Sequence, residues 1–256
     1  MQMGKEKLAS LQQQERVFGY PSRLVGRKQV AEGTVAFQFE RPRNFLFKAG
    51  QFVDLALLGA RPDSSDGLIH TFSIASSPSA EEIVVATRMR DTCFKRALFT
   101  LAIGSEVRIK GPMGSFTLHN NVSRPAVFLA GGIGIAPFLS MISSAVSNTP
   151  HPPISLFYAN RYFEDAAFID TLRDLESSTG NLRFVPTLTR VNNAHGEWKG
   201  ETGRISSEML SKHAGNLHGS ISYVAGPPAM VSAARLVLNE AGVDDDDIRT
   251  EEFAGY

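Results

Sequence analysis

Residues 70–73 read His-Thr-Phe-Ser and open the stretch HTFSIASSP, which alternates like a strand yet carries a histidine and four small hydroxyl residues. A buried strand ordinarily spends such positions on Val or Ile. His70, Thr71, Phe72 and Ser73 offer instead an imidazole, an aromatic face and hydroxyls able to donate or accept. By themselves Phe72 and Ser73 are either a core and an edge position or the two contacts of a bound partner. A second chemistry-bearing stretch is AVFLAGGIGIAPFLSMI, in which Gly131, Gly132 and Gly134 separate an apolar run from a helical pattern. Glycines there let the backbone approach a ligand, and the helix that follows presents unpaired N–H groups and a positive dipole end. With small Ala136 and with Pro137 in the first turn, this makes a pocket for a pyrophosphate; tight strand–helix packing is the alternative. The spacing is not Gly-x-Gly-x-x-Gly, and no acidic residue ends the next strand about 20 residues on. A third stretch, YVAGPPAMV, ends a strand on Gly226, Pro227 and Pro228 and starts a helix containing Met230. Both glycine-opened turns would lie at one edge of a sheet, with a dinucleotide-sized cleft between them.

The elements that must position these residues fall into two rhythms. Residues 22–112 give six short strands, RLVGRKQVA, TVAFQFER, QFVDLALL, HTFSIAS, EIVVATRMR and EVRIKGP, with one helical segment, CFKRALFTL. Period-two alternation of Val35, Phe37 and Phe39 and of Ile83, Val85 and Thr87 points to an antiparallel six-stranded Greek-key barrel. From residue 121 strands and helices alternate: AVFLA, ISLFYA, LRFVPTLT, SISYVAG and IRTEEF give a five-stranded parallel sheet with helices on both faces. The expected organisation is a polar lead-in over 1–20, a barrel over 21–120 and an α/β domain over 121–256.

Composition narrows the function. The 256 residues are 43% hydrophobic and 20% charged, with Lys+Arg and Asp+Glu equal at 26, so no basic field suggests nucleic acid. No apolar run approaches the roughly 18–20 residues of a membrane span, and the N-terminus lacks a secretory segment, so a cytoplasmic location is expected. The single Cys93 excludes a disulfide framework and a four-thiolate iron–sulfur cluster within these residues, and reads as a small buried hydrophobe.

Taken together and in order, these stretches resemble the ferredoxin–NADP reductase superfamily over about residues 22 to 256, without an iron–sulfur domain. HTFSIASSP resembles its Arg-x-Tyr-Ser flavin motif, GGIGIAP its nucleotide-pyrophosphate turn, and AGPPAM its Cys-Gly-Pro-Pro-x-Met motif. AGQFVDL and GPMGSF resemble further landmarks of the barrel half. The resemblance implies FAD, with FMN less common, bound on the barrel, and a nicotinamide nucleotide on the sheet. Phe72 would then lie against the flavin ring and Ser73 would hydrogen-bond near N5. His70 stands where the family has arginine, so phosphate grip must come from elsewhere. The expected sources are Thr92 as N-cap of a helix starting at Cys93, Lys95 on that helix, and Arg88 and Arg90 on one strand face; Asp91 should point away.

For the nucleotide, Arg161, Thr189 and Arg190 follow the second and third parallel strands, with Lys199 as a helper. Thr189, where NAD users often carry aspartate, favours NADP(H) over NAD(H). Ala225 replaces the family cysteine, which is not a covalent catalyst. At the end of IRTEEFAGY, Glu251 is the acidic site residue, and Phe253 or Tyr256 would cover the flavin. The implied activity is hydride transfer between NAD(P)H and FAD, then electron transfer to an external ferredoxin or flavodoxin. The alternatives are a reductase of free flavin, ferric chelates or quinones, or the reductase component of an oxygenase. A sensor or electron-transfer module without turnover is the remaining class; the intact GGIGIAP and GPPAM oppose it, while His70 and Ala225 leave it open.

Overall fold

The computed structural model describes residues 19–57, 68–148, 150–191 and 198–253. Most of the N-terminal lead-in, and Tyr256, lie outside the described residues. The first half holds β1 (Tyr20–Ala31), β2 (Thr34–Glu40), β3 (Phe52–Leu57), β4 (Ile69–Ser73), β5 (Glu82–Arg88), α1 (Cys93–Thr100) and β6 (Glu106–Met113). The strands pair antiparallel in the order β4-β3-β6-β1-β2-β5. A bridge between Ile74 and Val85, with Ala75 N–H donating to the Val84 carbonyl at 2.8 Å, joins the two ends and closes the barrel. The alternating residues do what their period demands: Val35, Phe37, Phe39, Ile83 and Val85 all point into one buried cluster. Helix α1 plugs that cluster with Phe94 and Leu98, four residues apart on one face. Thr92 Oγ accepts from Lys95 N–H at 3.3 Å, the expected N-cap.

The second half runs β7 (Ala126–Gly131), α2 (Ile135–Ser147), β8 (Ile154–Asn160), α3 (Ile169–Ser177), β9 (Leu182–Leu188), β10 (Glu201–Thr202), α4 (Ser207–Ala214), β11 (Ile221–Gly226), α5 (Pro228–Glu240) and β12 (Ile248–Glu252). All strands are parallel, in the order β10-β9-β8-β7-β11-β12. The sequence leads one to expect five strands. The sixth, β10, adds only two polar residues opposite Thr187 and Leu188, too short to carry a periodic signal. Helices cover both faces, so β7 is buried at every position. Phe128 and Ala130 face α2 and α3, whereas Val127 and Leu129 face α4 and α5.

The halves are packed together. Ala75 and Phe116 of the first half belong to the same buried cluster as Phe128, Ile135 and Tyr223 of the second, with Val30, Ala31 and Val84 against it. The connecting segment is fastened by His119, whose N–H donates to Tyr223 Oη at 2.9 Å; Arg249 Nη1 donates to the same oxygen at 3.0 Å. Chain order left open which strand neighbours β11. It is β7, with Ala225 opposite Ala130, so strand order reverses between them, and sheets of this kind take ligands beyond the carboxyl ends of the strands at such a reversal.

Candidate functional site

Ser73 ends β4, and Glu251 sits near the end of β12 opposite Ala225 of β11. The two meet across the boundary between the halves: Ser73 Oγ donates to Glu251 Oε2 at 3.4 Å. Ser73 is only 6% exposed. Burial pushes the Glu251 carboxyl up to about 7, against the opposing pull of the Ser73 hydrogen bond. A carboxyl so placed takes and releases a proton near neutrality. Two residues on, Phe253 N–H donates to the Gly226 carbonyl at 3.0 Å, and its half-buried ring packs against the shared core.

Beside this pair lie the glycine turns. A methyl at Gly131 or at Gly226 would collide with the Met230 sulfur, so these two glycines seat Met230 between the ends of β7 and β11. A methyl at Gly134 would strike the Ala225 carbonyl, which fixes how closely α2 approaches β11. Gly132 differs: its φ is +52° and the space beyond it is open. Helix α2 follows directly on a single 3₁₀ turn over Gly132–Gly134 and has no side-chain cap; Ile135 N–H donates back to the Gly132 carbonyl, and Ala136 and Pro137 lie buried in the first turn. Pro227 caps α5 and Pro228 is its first residue. Thus Gly132 leaves open space at the turn, while Gly131, Gly134 and Gly226 are in close contact with their surroundings. Helix α2 is also tied to the barrel, for Ser140 Oγ donates to the Ser76 carbonyl at 2.6 Å, three residues beyond Ser73.

The barrel edge departs from expectation. Phe72 is 3% exposed, and its ring is covered by His70, stacked at 4.8 Å and 22°, with Phe94 alongside at 5.8 Å. A phenylalanine has no hydroxyl to hold it at the surface, and residues two apart on a strand share a face, so His70 caps it. Burial and the neighbouring Lys95 charge push the His70 imidazole below its ordinary range, which keeps it neutral at pH 7. Thr71 Oγ points to Asp54, donating at 2.6 Å. Lys95 does not extend into solvent at the helix start: it is 3% exposed and its Nζ donates to the Arg88 carbonyl at 2.8 Å. Strand β5 stops at Arg88, so Arg88 and Arg90 do not share a strand face. Arg90 is exposed, and the Arg88 guanidinium pairs with Asp165 of the second half at 2.8 Å. Asp91 is held by Arg96, and Cys93 is exposed rather than buried, within 3.6 Å of Arg96 Nη2.

At the far side of the cleft, Arg161, Thr189 and Arg190 come together at the ends of β8 and β9. Thr189 N–H donates to the Asn160 carbonyl and Arg190 N–H to the Arg161 carbonyl, both at 2.9 Å, while Arg190 Nη1 donates to Tyr162 Oη at 3.4 Å. All three are exposed. Lys199 is not with them. It lines a separate groove of about 760 Å³ with Arg183, Glu201 and Lys212 along the outer edge of the sheet. Asp165, Tyr162 and Asp54 carry no sequence signal of their roles, because each acts on a partner distant in sequence.

The architecture is thus a closed antiparallel barrel followed by a parallel sheet whose strand order reverses at the glycine turns after β7 and β11. Residues 128–236 match the oxidoreductase NAD-binding domain family. Beyond those residues the likeness runs through most of the chain, to proteins named as oxygenase reductase components and as ferredoxin–NADP reductases. The chain is 29% identical over 238 residues to the reductase component DmpP of phenol 2-monooxygenase from Pseudomonas sp. strain CF600, covering 92% of this chain and 65% of that one. To ferredoxin–NADP reductase B of Sorangium cellulosum it is 27% identical, covering 91% of this chain and 97% of the relative. Its fold superposes on a ferredoxin NADP⁺ reductase from Neisseria gonorrhoeae, solved with FAD and NADP, at a TM-score of 0.74 and 21% identity over 91% of this chain and 97% of that one. The chain spans 60–65% of the length of the monooxygenase reductase components it matches first. Among the described residues no helix is long and apolar enough to cross a membrane.

Proposed function

We propose that this chain is an FAD-dependent NAD(P)H reductase that passes electrons to a separate protein, and that the acceptor is an oxygenase component. The observation that carries the reading is the Ser73–Glu251 pair, which joins the barrel to the sheet beside the glycine turns after β7 and β11. The residues present fit a flavin at that pair and at the Thr92-capped start of α1, whose N–H groups suit a pyrophosphate. They fit less closely at Phe72, which His70 covers, so His70 is the ring an incoming planar group meets first.

A bound flavin supplies two-electron acceptance with one-electron release, which no side chain offers. This chain's residues position and protonate. Ser73 offers a hydroxyl that donates or accepts, and so serves a ring nitrogen in either protonation state. The Glu251 carboxyl holds a proton near pH 7 and reaches the cleft through Ser73, whose hydroxyl donates to Oε2. Gly132, with open space beside it, and the uncapped start of α2 receive the nucleotide pyrophosphate, and Arg161, Thr189 and Arg190 receive a 2′-phosphate, which favours NADP(H). Phe253 lies against Gly226 and limits access to the cleft from the β12 side.

An oxygenase partner is favoured over ferredoxin or flavodoxin by the relatives, several of which are named as monooxygenase or dioxygenase electron-transfer components. The single cysteine means that any iron–sulfur step lies outside these residues. The test is anaerobic titration of the purified, flavin-loaded protein with NADPH and with NADH, followed at the flavin absorbance band. Stoichiometric bleaching is expected, faster with NADPH. Protein that neither retains a flavin nor bleaches with either nucleotide overturns the reading.

A further inference from the structure

We propose that Arg88 is a positioning residue for hydride transfer: through Asp165 it fixes the nucleotide-phosphate edge of the sheet against the flavin barrel. This rests on the reductase reading above and adds to it the element that sets the geometry between the two cofactors.

Arg88 is anchored on the barrel side. Its backbone pairs with Thr34 of β2, its carbonyl accepts from the buried Lys95 ammonium at 2.8 Å, and the next residue, Met89, donates from its N–H to the Gly33 carbonyl at 2.7 Å. The side chain then crosses the boundary to Asp165 Oδ1 at 2.8 Å. Asp165 is equally fixed. Its other oxygen, Oδ2, accepts from Tyr162 N–H at 3.4 Å, and its own N–H donates to the Tyr162 carbonyl at 3.2 Å, closing a tight turn. That turn begins one residue after Arg161, and Tyr162 Oη accepts from Arg190. A parallel tie, Glu32 N–H to the Glu164 carbonyl at 2.7 Å, holds the same turn to the β1–β2 hairpin. A continuous path therefore runs Lys95, Arg88, Asp165, Tyr162, Arg190, from the start of the flavin-side helix to the arginine at the nucleotide edge.

The pair is a poor device for stability. The Arg88 side chain is 43% exposed and Asp165 12%, and ion pairs with one exposed partner contribute little. Its geometry is another matter, because hydride transfer needs the two reacting atoms held to a fraction of an ångström.

Three variants test this: Arg88→Gln, Asp165→Asn and the exchanged Arg88→Asp/Asp165→Arg. Stopped-flow bleaching by saturating NADPH gives the hydride step, and difference titration with NADP⁺ gives affinity. Each single variant is expected to slow bleaching at saturation about tenfold, with a smaller effect on affinity and unchanged thermal stability. The exchanged pair is expected to recover most of the rate. Single variants that bleach at the parent rate, or an exchanged pair that folds as stably yet stays as slow as the single ones, overturn the proposal alone. If the parent protein itself does not bleach, the reductase reading fails, and this inference goes with it.

Discussion

The Ser73 hydroxyl and the Glu251 carboxyl lie 178 positions apart in sequence and 3.4 Å apart in space, one on the barrel and one on the sheet. Each half alone would leave its member of the pair without the other.

Replacing Glu251 gives a pH signature of known sign. Burial raises the folded carboxyl from 4.5 to about 7, so between these values the folded chain keeps a proton that the unfolded chain has lost. Stability therefore falls as pH rises through that window. Glu251→Gln removes the penalty, and the variant should gain about 2–3 kcal/mol over the parent on going from pH 4.5 to 8. Urea unfolding of both proteins across that range measures it; a constant difference contradicts the assignment. In stopped-flow reduction the parent's pH profile should bend near 7 and the variant's should not.

His70 offers no charge to a phosphate at neutral pH, because burial and Lys95 hold its imidazole neutral. Arg in its place carries a permanent charge. His70→Arg is expected to tighten FAD about tenfold at pH 8, judged by flavin retained on dialysis. The advantage should narrow only below pH 6.5, where the histidine itself becomes charged.

The glycines should separate by role. Gly134→Ala meets the Ala225 carbonyl and should cost about 2 kcal/mol in urea unfolding. Gly132→Ala meets nothing, pays about 1 kcal/mol for its positive φ, and should weaken nucleotide binding more than it weakens the fold. Equal effects of the two on nucleotide affinity would contradict the division.

Arg190 is exposed beside Thr189 and Arg161, and in the proposed reading it meets a 2′-phosphate. Arg190→Ala should raise KM for NADPH about tenfold and leave that for NADH unchanged. Steady-state kinetics with both nucleotides decides it.

All the strands but β10, and the change from barrel to parallel sheet, were legible because period-two alternation, continuous apolar runs and glycine–proline punctuation are local signals. Thr92 as a cap was legible for the same reason. What sequence could not supply was direction. Lys95 and Arg88 are cations near a helix start, and nothing local says that one turns inward to a carbonyl and the other crosses to Asp165. The covering of Phe72 by His70 follows from their two-residue spacing, but only once the strand's inward face is known. Gly131 and Gly226 looked like ligand glycines, yet Met230, itself in the motif, is what they accommodate.

Ala75 and Phe116 come from the barrel yet are buried among the sheet's own apolar residues. The two halves therefore cannot melt one after the other without tearing a common interior open to water. They should behave as one cooperative unit, and severing the chain near residue 120 would yield two sticky fragments rather than two working modules.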